Sequence, residues 1–275
     1  MTWKISVNTK TQMTQLNRSF SRSPRNAWLK LLVTALVAFS VLFLIGLGYL
    51  FYRGYLGRGI SGKATAARMS RLWAWFQDPA AHFDWRVSAG ERCGDAPFIM
   101  PTNGYIGFIW GDSFRIGHRH QGLDIFGGEA VNTTPVVVAY PGYLTRLPEW
   151  KSSLIVRVPV DPLSPGRQIW VYYTHMASQD GESFISPEFP PGTRDVYVEA
   201  GTLLGYQGNY SGTPGNPTGV HLHFSIVRDD GAGSFMNELE IDNTLDPSPY
   251  LGMPLNLENN QGVVPICDAG ELSSE

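Results

Sequence analysis

The chain has 275 residues, 43% of them hydrophobic and 16% charged, too long for a minimal domain and short for two large ones. Its formal charge of −3 hides an asymmetry: eleven of the 21 basic residues precede Leu72, and all 24 acidic residues follow it. From Leu72 onward ten basic residues face 24 acidic ones, the opposite of the basic footprint that nucleic-acid binding requires, so no nucleic acid is expected as a partner.

In chain order, residues 1–30 form a polar, basic tail. Residues 31–52, "LLVTALVAFSVLFLIGLGYLFY", then run without a charge, enough helix to cross a hydrocarbon core of ~30 Å. A cleaved signal peptide has an apolar core of only ~7–15 residues and a small-residue cleavage site. This run is longer and no A-x-A pattern follows, so it reads as an uncleaved single-pass anchor. Six basic residues before it against five just after it bias the tail toward the cytoplasm and the remainder toward the outside. Residues 53–96 form a glycine-rich linker and a juxtamembrane helix. The helix is read over Ala64–Gln77, with basic residues early and Leu72, Trp73, Trp75 and Phe76 late. Such a segment either lies on a membrane surface or packs on the domain behind it.

Residues 97–251 carry the signals of a mainly β domain built on an antiparallel sheet. Short runs rich in Val, Ile, Tyr and Trp, such as "SSLIVRVPV", "RQIWVYYTHM" and "GVHLHFSIV", alternate with Gly, Pro, Asn and Asp clusters. No helical period separates them, which argues against βαβ units. Residues 252–275 form a C-terminal tail. Cys93 and Cys267 lie near the two ends of the acidic region, and a domain held outside the membrane favours an intramolecular disulfide between them.

Four of the six histidines sit at positions that ask for chemistry. In "GVHLHFSI", His221 and His223 share one face of a strand, ~7 Å apart, while Val220, Leu222 and Phe224 form the other face. In "HRHQGLDIFGG", His120 and Asp124 are four apart around Gly122, whose freedom can bend the chain so that both reach one metal. His175 ends the strand "IWVYYTHM". Two imidazoles and a carboxylate are a set that holds Zn2+ and leaves a fourth position for water. "HxxxD" alone is weak and a lone histidine at a strand end is usually a packing residue; the ordered set is the stronger signal. His82 and His118 fall outside it, with His118 near enough to line the mouth of a site.

"HQGLDI", then "THM", then "TGVHLHFSI" together resemble the M23 peptidase family, the LytM or lysostaphin-type domain. The resemblance extends over roughly Pro97–Leu251, from "FIMPTNGYIGFIWGD" through "VEAGTLLGYQGNYSGTPGNPTGVHLHF" to "DPSPYL". It implies an antiparallel sheet with an active-site groove and a zinc endopeptidase acting on peptidoglycan peptides. It matches His120, Asp124 and His223 to the zinc ligands, His221 to the general base and His175 to the group that stabilises the transition state. The residues themselves leave those last two roles interchangeable. The segments 136–176, 178–194 and 210–219 are longer than the family's usual connections and are expected to wall the groove. The alternative the resemblance carries is a non-catalytic LytM-type module that activates another cell-wall hydrolase.

Overall fold

The structure, a computed structural model, describes residues 24–51, 59–112 and 118–267. The first part of the basic tail, Tyr52, the start of the linker and the end of the C-terminal tail lie outside the described residues. The chain divides into two compact units, and helix α1 (Pro24–Phe51) belongs to the first. Its stretch Trp28–Leu50 is long and apolar enough to cross a membrane, and its side chains are exposed. At ~1.5 Å per residue this length matches a hydrocarbon core of ~30 Å. A signal sequence near an N-terminus meets the same criterion.

The second unit holds everything else. Helix α2 runs Gly59–Gln77, five residues earlier than the sequence pattern suggested, and Pro79 bars its continuation. Arg68, Leu72 and Trp75, spaced i, i+4 and i+7, form its buried face. Leu72 and Trp75 pack with Tyr105, Phe108 and Phe126, so of the two placements open to this helix it takes the one on the domain. Burying two such side chains contributes ~1.5–3 kcal/mol each.

Among the described residues eleven strands follow: β1 (Arg86–Val87), β2 (Gly104–Phe108), β3 (Leu123–Phe126), β4 (Pro135–Val137), β5 (Gly142–Thr145), β6 (Leu154–Val158), β7 (Ile169–Thr174), β8 (Val196–Val198), β9 (Leu203–Tyr206), β10 (Leu222–Arg228) and β11 (Thr244–Leu245). The larger sheet has the order β1-β2-β3-β10-β7-β6-β5-β8, with β11 also on β10; β4 and β9 form a small second sheet. Among these strands every pairing is antiparallel, as expected from the lack of a helical period between them. A four-residue helix, α3 (Ser248–Leu251), closes the domain.

Strand alternation sets which side chains meet. Along β7, Ile169, Val171 and Tyr173 enter the main core, while Trp170 and Tyr172 enter a cluster on the other face. Leu222, Phe224 and Ile226 of β10 and Leu123 and Ile125 of β3 join the main core. The alternate positions, His223 on β10 and Asp124 on β3, therefore point to the opposite face. Cys93 and Cys267 form the expected disulfide, their Cα atoms 5.0 Å apart.

Candidate metal centre and groove

The register of the sheet brings Asp124 directly opposite His223, because β3 and β10 pair Leu222 with Ile125, His223 with Asp124 and Phe224 with Leu123. Gly122 makes this pairing possible. A Cβ there would stand 2.1 Å from the Phe224 carbonyl oxygen, so only glycine lets β10 approach so closely. Its φ is not in the left-handed region, which makes its role close approach rather than the expected sharp bend.

His120 precedes β3 and is held by the turn Ile109–Asp112. Its backbone N–H donates to the Asp112 carbonyl at 2.7 Å, and its carbonyl accepts from the Gly111 N–H at 2.8 Å. Its Nδ1 meets the Ile109 carbonyl at 3.1 Å. A nitrogen facing a carbonyl carries the proton, so in the neutral ring Nε2 presents its lone pair. That lone pair points inward, 3.0 Å from Asp124 Oδ1 and 3.1 Å from His223 Nδ1, and the last two atoms are 2.8 Å apart. Among the described residues His120, Asp124 and His223 form a group of the kind that holds a metal ion. Tetrahedral bonds of ~2.0–2.2 Å place ligand atoms ~3.3–3.6 Å apart, a few tenths of an ångström wider than this triangle.

Asp124 supplies the negative charge of the set. Burial alone would raise Asp124, but the imidazoles of His120 and His221 and the hydrogen bonds to His120 and His223 hold its carboxyl well below the usual range. Burial would lower His120, and Asp124 outweighs it, so that imidazole is raised. Burial lowers His223, with Asp124 opposing. The donor set, two imidazole nitrogens and one carboxylate oxygen with inward lone pairs, fits Zn2+.

Two further imidazoles flank the triangle. His221 lies just before β10, bridged to Gly208, and donates Nδ1–H to the Gly219 carbonyl at 2.7 Å. Its Nε2 is 3.6 Å from Asp124 Oδ1, too far for a hydrogen bond. Burial lowers it to about 4, keeping the ring neutral, and its ring stacks on Phe126 at 4.9 Å. His175 follows β7 with φ of 70°, a left-handed backbone that a side chain rarely adopts and that costs of order 1–3 kcal/mol. Its Nδ1 donates to the Tyr210 carbonyl at 2.6 Å, and its ring lies 4.4 Å from that of His221. Burial, reinforced by His223, lowers it as well. Gly208 permits this crossing, since a Cβ there would stand 2.1 Å from the Ala177 carbonyl oxygen.

All five histidine and aspartate side chains line one open cavity of about 600 Å³. Of the expected walls, residues 149–153, 210–212 and Thr218 contribute, and His118 lines the mouth. The segment 178–194 does not line the cavity; Ile185 and Phe189 turn it into the main core instead. Glu238 and Leu239 form a wall that sequence reasoning missed, as it missed the Phe126 ring beneath His221. Phe126 was within reach: it follows Asp124 by two residues and so shares its face. His82 stacks on Trp85 at 3.9 Å and is not among the cavity's lining residues.

No family model and no curated protein matches the chain. Several solved structures are similar to it. One is the lytM protein of Ruminococcus gnavus, provisionally described as a glycyl-glycine endopeptidase, at 23% identity and a TM-score of 0.31. It matches 47% of this chain, which spans only 44% of that protein's length. Another is a point mutant of the catalytic domain of the prophage-encoded M23 protein EnpA from Enterococcus faecalis, at 19% identity, a TM-score of 0.32, 54% of this chain and 93% of that one. A third is Helicobacter pylori Csd3, at 18% identity, a TM-score of 0.33, 55% of this chain and 32% of that one. The solved structures similar to the chain thus include an M23 protein and a LytM, the family that its motifs resemble.

Proposed function

We propose that the chain is a membrane-anchored zinc metalloendopeptidase that hydrolyses peptide bonds in bacterial peptidoglycan, with its β domain outside the cytoplasm. The observation that carries this reading is the convergence of His120 Nε2, Asp124 Oδ1 and His223 Nδ1 beside two further neutral imidazoles on one open groove. The three converging residues hold the metal. Bound zinc polarises the scissile carbonyl and lowers the pKa of water. His221, its Nδ1 committed to Gly219, accepts the water's proton at Nε2 and returns it to the leaving amine. His175, its Nδ1–H committed to the Tyr210 carbonyl, keeps Nε2 free to accept a hydrogen bond from the attacking water and so orients it. The peptidoglycan substrate rests on the motif resemblance, and the open groove suits an extended peptide. The disulfide and the apolar helix α1 support a place outside the cytoplasmic membrane.

The test is mass spectrometry of material released from purified peptidoglycan by the full-length chain in detergent with zinc. New peptide termini that vanish on chelation are expected, and they name the scissile bond. Walls of varied chemistry left uncut by the zinc-loaded protein would overturn the enzymatic reading in favour of a regulatory LytM-type module.

A further inference from the structure

Helix α2 lies outside the segment that resembles M23 peptidases, yet it bonds Asp112, in the turn that holds His120. Arg68 is 1% exposed and Asp112 fully buried. The guanidinium makes a two-pronged contact with Asp112 Oδ2, Nε at 2.9 Å and an Nη at 2.8 Å. The Thr65 hydroxyl donates to the other carboxylate oxygen at 2.8 Å, and Arg68 also donates to Asn260 Oδ1 at 3.3 Å. A buried ion pair is a weak source of net stability, because the loss of hydration offsets the attraction; its better use is to fix one geometry.

The geometry fixed here is that of a metal ligand. Asp112 ends the turn that grips His120: its own carbonyl accepts the His120 N–H, and its N–H donates to Ile109, the residue whose carbonyl sets the His120 tautomer. The same turn is held from its other side by Trp110, which exchanges backbone hydrogen bonds with Leu255 and Leu257. The carboxylate of Asp112 is thus the handle by which α2 orients the ring of His120.

We propose that Arg68 is a positioning residue of the metal centre, acting through Asp112 on His120. This rests on the reading of His120, Asp124 and His223 as metal ligands. Outer partners that orient a ligating imidazole typically change metal affinity by 10–100-fold when removed.

The test uses the full-length chain in detergent, with Co2+ as a visible probe of the site and zinc affinity measured by competition with a chelator. Arg68→Met paired with Asp112→Asn removes both charges, so that neither is left buried alone; it is expected to weaken metal binding 10–100-fold and to shift the Co2+ absorption bands. Arg68→Lys keeps the charge but loses the fork, and is expected to fall between this pair and the unsubstituted protein. Thr65→Val leaves the ion pair in place and is expected to cost a few-fold. A folded double variant with unchanged affinity and spectrum overturns the proposal. If the double variant does not fold, Arg68→Lys decides, and unchanged affinity and bands in it overturn the proposal too. A site that takes no metal in the unsubstituted protein overturns instead the reading of the ligands.

Discussion

At the scale of single residues, the proposed chemistry turns on the different placement of His221 and His223. Both belong to one short segment, yet their nitrogens face different surroundings. His223 directs Nδ1 into the triangle with His120 and Asp124, whereas His221 keeps its Nε2 outside that triangle. His223→Ala is therefore expected to abolish metal binding along with cleavage. His221→Ala is expected to lower cleavage by 10²–10⁴-fold while leaving metal affinity within a few-fold of the unsubstituted protein. Paired assays of zinc affinity and peptide release check both. Loss of zinc in the His221 variant would place that residue among the ligands instead. That these residues would converge was legible because a period of two puts alternate strand residues on one face, and because a metal calls for a narrow set of donors. The grip of Ile109 and Asp112 on His120 was not legible, because backbone carbonyls bear no mark in a sequence.

Among the elements, the pairing of β3 with β10 does the work of assembling the site, and it depends on a missing side chain. At Gly122 an added Cβ meets backbone, which cannot give way as a flexible side chain would. Gly122→Ala is expected to force the strands apart at Phe224, at an overpacking cost of ~1–3 kcal/mol, and so to lower Tm by roughly 3–10 °C. Metal affinity should fall with it, since Asp124 and His223 face each other one residue further along. Gly219→Ala is the control. There a Cβ meets only ordinary contacts, the nearest 3.5 Å away on the Phe126 ring, and the carbonyl that holds His221 is kept. Calorimetry and metal titration of both variants check the pair; equal behaviour would remove the close approach from the explanation. Sequence alone suggested glycine here as a hinge, because the motif has no view of the strand that lies against it. The strands themselves were legible, each as a run of β-branched and aromatic residues between turn residues. Helix α2 was legible as a helix, but its buried Arg68 was not, since a basic residue early in a helix ordinarily reads as a solvated one.

For the second unit as a whole, the disulfide closes a loop of 174 residues in sequence and ties the start of the β domain to the end of the described chain. Between Leu255 and Cys267 the segment passes the turn that holds His120, through Trp110, and passes α2, through Asn260 and the Gly262 carbonyl, which accepts from Arg71. The covalent link thus anchors a strap that touches both the helix and the turn. A crosslink over a loop of this length raises the free energy of the unfolded chain by up to ~5 kcal/mol in the chain-entropy account, and removal of native disulfides costs ~2–5 kcal/mol. Cys93→Ser together with Cys267→Ser is expected to lower Tm by about 5–15 °C. A reductant should lower the unsubstituted protein by a similar amount and leave the double variant unmoved, which separates the bond from the packing of the two side chains. Because the strap bears on the turn, the double variant should also bind zinc more weakly, and its far-UV circular dichroism should match the oxidised protein well below Tm. A double variant with unchanged Tm and zinc affinity would mean that Leu255, Asn260 and their backbone partners hold the strap without the covalent link.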